Sequence, residues 1–310
     1  MPIHPWLAER FTLIRDIRSF DATVGDPVAG ELFLRYLQDP QPWSPPDGVR
    51  VDDRMAGTVR VKVFRPARSA GPASALLWMH GGGFVLGSAD DTESVIPGYE
   101  LAARAGAVVV SVDYRLAVGG VRYPAPLDDT LAAWDWLTRN AADLGADPAR
   151  LFVGGTSVGA ALATAVAVRM RDSQRAIPRG MLLAYPIEHF PTPPLAPELL
   201  RELELLPAML RFPAEYQLEI VQNYLGRTVD LPADAVPGNH SVAGLPEAWI
   251  APAEYDDLRP SGELLAAQLA AAGVPAHLRI ARGMVHGFLG RGPSLEPVSE
   301  ILDFFAAALS

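Results

Sequence analysis

Residues 151–160 read Leu-Phe-Val-Gly-Gly-Thr-Ser-Val-Gly-Ala, and the rest of the chain is organised around them. Leu151, Phe152 and Val153 predict a short buried strand, Gly154 and Gly155 break it, and the small residues from Ala160 onward predict a helix. Gly155-Thr156-Ser157-Val158-Gly159 is therefore a G-x-S-x-G sequence between strand and helix, the setting of a sharply turned nucleophilic serine. Bulk at Gly155 or Gly159 would clash with the neighbouring strand or helix, hence the glycines. Ser157 would stand at the positive end of the new helix, where a developing oxyanion is favoured.

The 310 residues suffice for one large α/β domain with a smaller cap, and 49% hydrophobic and 20% charged residues are ordinary for a folded soluble protein. Lys and Arg number 26 against 36 Asp and Glu, a net charge of −10, which argues against nucleic acid or an anionic membrane as partner. With no cysteine, disulfides, thiolate metal sites and a cysteine nucleophile are excluded. The opening Met-Pro-Ile-His-Pro-Trp has no basic segment leading into an apolar one, and nothing approaches the roughly 18 apolar residues of a membrane span. A cytoplasmic location is the expectation, with Asn239-His240-Ser241 read as a loop rather than a glycosylation site.

Apolar strands alternate with helical stretches along the middle of the chain. Val49, Val51, Val59, Val61 and Val63 alternate with polar residues and predict two antiparallel strands. Buried strands are predicted at Ala75–Met79, Ala107–Val112, Met181–Tyr185 and Ala248–Ala253, and a further strand at His277–Ala281. Helices are predicted near 93–105, 127–144, 261–272 and 295–309. This rhythm implies a mostly parallel sheet with helices on both faces. Two segments depart from it. Residues 1–47 are amphipathic and then proline-rich (Pro40, Pro42, Pro45, Pro46), which suits a lid element. Residues 187–246 carry prolines at 191, 193, 194, 197, 207 and 213 and Leu-rich helical pieces at Leu199–Leu210 and Tyr216–Leu225, as an inserted cap would. The expected division is thus 1–47 cap, 48–186 core, 187–246 cap insertion and 247–310 core.

A serine hydroxyl needs a base within hydrogen-bond reach, itself held by an acid. Of six histidines, His4 lies at a ragged terminus, His277 in an alternating strand, and His189 and His240 in the insertion. His80 precedes the serine in a glycine loop. His286 remains, in Gly283-Met284-Val285-His286-Gly287-Phe288 after the last strand. The acid belongs on the loop after the preceding strand, where Glu254, Asp256 and Asp257 stand; Asp256 is the choice, with Asp257 behind it. Asp113 reads as a structural partner of Arg115 or of backbone amides. His80-Gly81-Gly82-Gly83-Phe84 matches the loop that offers amides to an oxyanion. It does not match a phosphate cradle, which needs a following Lys and Ser/Thr or a G-x-G-x-x-G. No clustered metal ligands are visible and no cofactor is expected.

Taken together, these motifs resemble the hormone-sensitive-lipase-like family of α/β-hydrolase esterases over roughly Leu76 to Phe288. The likeness also covers Val112-Asp113-Tyr114-Arg115-Leu116-Ala117 and Tyr123-Pro124-Ala125-Pro126-Leu127-Asp128-Asp129. It implies an α/β-hydrolase fold with a mostly parallel eight-stranded sheet, a helical cap built from 1–47 and 187–246, and hydrolysis of short- to medium-chain carboxylic esters. By the same resemblance Ser157 is the nucleophile, His286 the general base and Asp256 the orienting acid, and the oxyanion donors are the amides of Gly82, Gly83 and Val158. Dimerisation near the carboxyl end is a further implication. Amide, carbamate or lactone hydrolysis by the same residues, or a non-catalytic ligand-binding relative, are the alternatives. Three departures stand out. Thr156 and Val158 replace the usual Asp and Ala of the elbow, with a narrowed pocket floor expected at Val158. Val118-Gly119-Gly120 replaces a Pro-Glu. Asp256-Asp257-Leu258-Arg259-Pro260 replaces an Asp-Pro-Leu-Arg-Asp run, so that a hydrogen bond from the second Asp is expected to be lost or supplied elsewhere.

Overall fold

The computed structural model describes residues 2–68 and 71–310; Met1 of the 1–47 segment lies outside them. Three helices open the chain, α1 (Pro5–Ile14), α2 (Phe20–Gly25) and α3 (Pro27–Tyr36). There follow β1 (Val49–Ala56), β2 (Val59–Pro66), β3 (Ala73–Met79), α4 (Thr92–Ala105), β4 (Val108–Val112), α5 (Ala125–Asn140), β5 (Ala146–Thr156), α6 (Val158–Asp172) and β6 (Gly180–Ala184). After the inserted α7 (Pro197–Leu203) and α8 (Ala214–Leu225) come β7 (Glu247–Ala251), β8 (Ala253–Tyr255), α9 (Arg259–Ala271), β9 (Ala276–Leu278), β10 (Ala281–Val285) and α10 (Glu296–Leu309).

Eight strands form one sheet in the order β1-β2-β4-β3-β5-β6-β7-β9. The pairings β1–β2 and β2–β4 are antiparallel and the others parallel. β8 and β10 pair parallel in a separate two-stranded sheet. Because side chains alternate across a strand, β3 sends Leu77 and Met79 into one core with Leu127 and Leu137 of α5, Leu162 of α6 and Leu265 of α9. Its intervening Leu76 and Trp78 enter a second core with Leu101 of α4 and Ile301, Leu302 and Phe305 of α10. Both faces are therefore dry, which is why these strands read as continuous apolar runs. Each fully buried Leu or Phe contributes roughly 1.5–3 kcal/mol against the exposed state. A third, small cluster (Ile14, Ile17, Ala29, Tyr36) holds α1 and α3 together.

Proline accounts for most differences from the predicted elements. The expected helix Leu199–Leu210 stops at Leu203 and resumes only as one 3₁₀ turn, Ala208–Leu210, because Pro207 has no N–H to continue the ladder. The expected strand Ala248–Ala253 divides at Pro252 into β7 and β8 for the same reason. His277–Ala281 is likewise two strands, β9 and β10, in two different sheets. The helix expected at 127–144 is α5, Ala125–Asn140, and begins earlier with Pro126 in its first turn.

Candidate active site

Four strand ends converge. Met79 and Gly155 are register partners on neighbouring β3 and β5, so the loop after β3 and the turn after β5 lie side by side. The loop after β8 begins at Asp256 and that after β10 at His286, again side by side through the Val285–Tyr255 pairing. Ser157 heads α6 with φ +53°, the left-handed region that a tight strand-to-helix reversal imposes. A Cβ at Gly159 would stand 2.2 Å from the Met79 carbonyl oxygen, and one at Gly155 would stand 2.5 Å from it. The elbow can close on β3 only with glycine at both places.

Across these loops Ser157 Oγ lies 3.0 Å from His286 Nε2, and His286 Nδ1 lies 2.7 Å from Asp256 Oδ2. The other Asp256 oxygen accepts the Leu258 N–H at 2.9 Å, so the carboxylate is held without the second Asp of the resembled family. Asp256 and its side chain are buried. Burial by itself would depress the imidazole, but the charge of Asp256 and its hydrogen bond, helped by Glu93 and Asp257, outweigh it and raise the His286 pKa above the ordinary 6.5. The acid limb of a pH–rate profile governed by this base is therefore expected above pH ~6.5. A kcat/KM profile with its midpoint below 6.5 would contradict the arrangement.

The glycine loop faces the same space. Gly82 takes φ +105°, and a Cβ there would lie 2.2 Å from the Leu86 carbonyl oxygen, so only glycine lets the loop fold back on itself. Among the described residues, the N–H groups of Gly82, Gly83 and Val158 find no backbone acceptor outside the regular elements, and Val158 opens α6, where its N–H has no place in the helix ladder. His80 is buried, with Nδ1 2.8 Å from the Gly81 oxygen and its ring stacked on Tyr114 at 4.2 Å. It supports the loop from beneath. Gly81 presents its N–H to Glu93 at 3.2 Å. Val158 itself packs into the core with Leu77 and Met79 and does not line the cavity, so the expected narrowing of the pocket floor does not occur.

A cavity of about 740 Å³ opens over Ser157, His286, Gly82 and Gly83. Phe33 and Tyr36 of α3 line it on one side, and Phe212, Tyr216 and Ile220 of the insertion on another. Both departing segments thus roof the serine. The insertion is seated on the core through Phe84, stacked on Tyr224 at 3.7 Å, and through Tyr123, which donates to Asp234 at 2.8 Å. Asp234 also pairs with Arg169. On the other side, Arg291 donates to the Tyr36 and Leu37 carbonyls at 3.3 Å, tying the first helices to the loop that carries His286.

The remaining candidates are placed elsewhere. His4 donates its backbone N–H to Gly283, His189 is bonded to Ser261 and Gln268, His240 lies against the Leu231 carbonyl, and His277 pairs with Glu247 on the edge strand. Glu254 holds Arg282 and the Gly283 N–H. Asp257 faces the cap, bonded to Arg211. Of the two structural roles expected for Asp113, the structure shows the backbone one: it accepts from Ala89 N–H and also faces Arg60, whereas Arg115 binds Asp129 instead.

Sequence reasoning missed Glu93. Its carboxylate accepts from the Gly81 N–H, from Thr156 Oγ1 at 2.8 Å and from the Tyr185 hydroxyl at 3.0 Å. It joins the glycine loop to the elbow and explains Thr156: a hydroxyl serves there because the carboxylate comes from α4. The one available signal was an acidic residue in the first turn of the helix following the glycine loop. Among the described residues there is no cluster of three potential metal ligands, and no helix is long and apolar enough to cross a membrane.

A family model described as an alpha/beta hydrolase fold matches residues 76–290. The chain belongs to that α/β-hydrolase family. Relatives of this hydrolase include Carboxylesterase NlhH of Mycobacterium tuberculosis, 35% identical over 283 residues, or 87% of this chain and 84% of that one. The ethyl acetate hydrolase of Pseudomonas putida is 33% identical over 263 residues, 81% of this chain and 78% of the relative. Among solved structures, a hyperthermophilic esterase from Pyrobaculum calidifontis superimposes with a TM-score of 0.79 at 30% identity, covering 100% of this hydrolase and 98% of the esterase.

Proposed function

We propose that the protein is a serine carboxylesterase acting on small esters with short- to medium-chain acyl groups. The observation that carries this reading is the continuous line from Ser157 Oγ through His286 to Asp256, lying at the floor of a largely apolar cavity beside the glycine loop. Ser157 Oγ attacks the ester carbonyl while His286 Nε2 takes its proton, and Asp256 holds the imidazolium that results. The carbonyl oxygen becomes an oxyanion received by the N–H groups of Gly82, Gly83 and Val158. His286 then returns its proton to the alcohol oxygen as the carbon–oxygen bond breaks, leaving acyl-Ser157. Water, deprotonated by His286, attacks the acyl carbon, and the carboxylic acid leaves as Ser157 recovers its proton. Each oxyanion donor is worth about 3–4 kcal/mol of barrier.

Ethyl acetate, for which the Pseudomonas putida relative is named, is a small ester, and aromatic side chains of both roofing segments line the cavity beside the serine. Both favour short esters over triglycerides. A cytoplasmic, homodimeric enzyme is part of the same proposal, the dimer resting on the family resemblance and on β9, which forms the outer edge of the sheet. The test is hydrolysis of p-nitrophenyl esters from acetate to palmitate. Turnover peaking at short acyl chains is expected; a folded protein that cleaves none of them, or prefers palmitate, overturns the reading.

A further inference from the structure

Asp257 follows the catalytic-site Asp256 directly, at the place where the resembled family carries proline. It is 5% exposed, and both of its oxygens are committed to the insertion. Oδ2 accepts from Arg211 Nε at 2.9 Å and from the Phe212 backbone N–H at 2.7 Å, while Oδ1 accepts from Arg211 Nη2 at 2.9 Å. This two-point Arg–carboxylate geometry fixes direction as well as distance. Arg211 Nη1 also donates to the Leu203 carbonyl at 2.8 Å, closing the end of α7. Gln217 Nε2 holds the Phe212 carbonyl at 2.7 Å. The backbone on both sides of Phe212 is thereby fixed, and its ring lies against His286 with centroids 4.4 Å apart. Tyr185 occupies another side of the imidazole at 4.8 Å, from within the core. Phe212 is the cavity-side neighbour.

We propose that the Arg211–Asp257 pair is a positioning clamp that sets Phe212 over His286 as the size limit for the alcohol half of the ester; the proposal rests on the ester-hydrolase reading above. The reasoning is chemical. The base must hand its proton to the leaving alcohol oxygen, which therefore approaches His286 Nε2 within hydrogen-bond reach. The carbonyl oxygen points the other way, into the glycine-loop amides. A ring packed on the imidazole accordingly meets the alcohol moiety before it meets the acyl chain. Asp257 lets the residue beside the triad acid read the position of the roof, so that pocket width and triad geometry are set by one pair of side chains.

The experiment uses two series of esters on the full chain. Acetates of ethanol, butanol and octanol vary the alcohol; p-nitrophenyl acetate, butyrate and octanoate vary the acyl group. Phe212→Ala is expected to raise the octyl-to-ethyl acetate ratio of kcat/KM by about tenfold, the worth of one to two newly buried methylenes, chiefly through a lower KM for octyl acetate. Arg211→Gln and Asp257→Asn are expected to move that ratio in the same direction. Adding either to Phe212→Ala adds nothing further, since the clamp acts through the ring. Arg211→Lys, which keeps the charge but not the two-point geometry, gives an intermediate shift and stands in if Asp257→Asn fails to fold. The octanoate-to-acetate ratio of the acyl series stays within twofold throughout. An unchanged alcohol ratio in Phe212→Ala, an equal shift in the acyl series, or clamp effects that add to those of Phe212→Ala overturn the proposal. Wild-type protein that hydrolyses neither series overturns the ester reading as well, whereas wild-type turnover with unresponsive variants overturns the clamp alone.

Discussion

Ser157→Ala is expected to lower kcat/KM for p-nitrophenyl acetate by ~10⁴-fold or more. The Oγ is the group placed at 3.0 Å from His286 Nε2, and among the described residues no other hydroxyl is hydrogen-bonded to that nitrogen. The substitution is also structurally mild. Ser157 is 7% exposed, its backbone N–H remains bonded to the Ala184 carbonyl at 2.9 Å, and alanine pays the same penalty for φ +53° that serine already does. Lost activity would therefore report lost chemistry, which an unchanged circular dichroism spectrum and melting point would show. His286→Ala is expected to cost a similar factor, and the double variant no more than either single one, because nucleophile and base act as a unit. A residual rate above water is expected in all three from the glycine-loop amides. Activity within tenfold of wild type in either single variant would remove Ser157 and His286 from the mechanism.

What the sequence made legible is what local pattern can carry. The G-x-S-x-G turn needs glycine on both sides for reasons confined to a few residues, and the buried strands announce themselves by apolar runs. The chain order serine, acid, histidine then leaves few choices, and the structure brings Ser157, Asp256 and His286 together. Contacts between distant segments left no such trace. Glu93 and Thr156 are 63 positions apart and Arg211 and Asp257 are 46, and each pair joins elements whose approach depends on the whole sheet. Asp113 shows the limit of closeness in sequence: of its two expected partners it takes a backbone amide, Ala89, while the loop beyond Val112 turns Arg115 toward Asp129 on α5. Proline misled the strand and helix boundaries for a related reason. Its effect on a ladder is certain, but which partner chain then takes over, as β10 does beside β8, is a tertiary matter.

The second large effect concerns stability and a carboxylate outside the reaction. Glu188 follows β6 and has no exposed surface at all. Its Oε1 accepts from Thr164 Oγ1 at 3.0 Å, and among the described residues Oε2 has no hydrogen-bond partner. The adjacent His189 offers no countercharge: burial lowers its pKa, and its ring nitrogens are engaged by Ser261 and Gln268. Burial pushes the Glu188 carboxyl up to about 8, with the Thr164 hydrogen bond pulling only weakly the other way. The folded state therefore holds this proton more tightly than the unfolded chain, whose carboxyl titrates at an ordinary value near 4.5. Stability from this group is complete below pH ~4.5, falls as the pH rises toward 8, and is level above that, a total loss on the order of 5 kcal/mol. Glu188→Gln keeps the shape and the Thr164 acceptor but cannot ionise. It is expected to melt within a few degrees of wild type at pH 5 and on the order of 10 °C above it at pH 9. Glu188→Met, which removes the polar group and leaves the single Thr164 hydroxyl proton to the Ala160 carbonyl within reach, is expected to show the same pH-dependent gain. Equal melting differences at pH 5 and pH 9 would mean that Glu188 is ionised in the folded protein at both, and that a hydrated or charged partner meets Oε2.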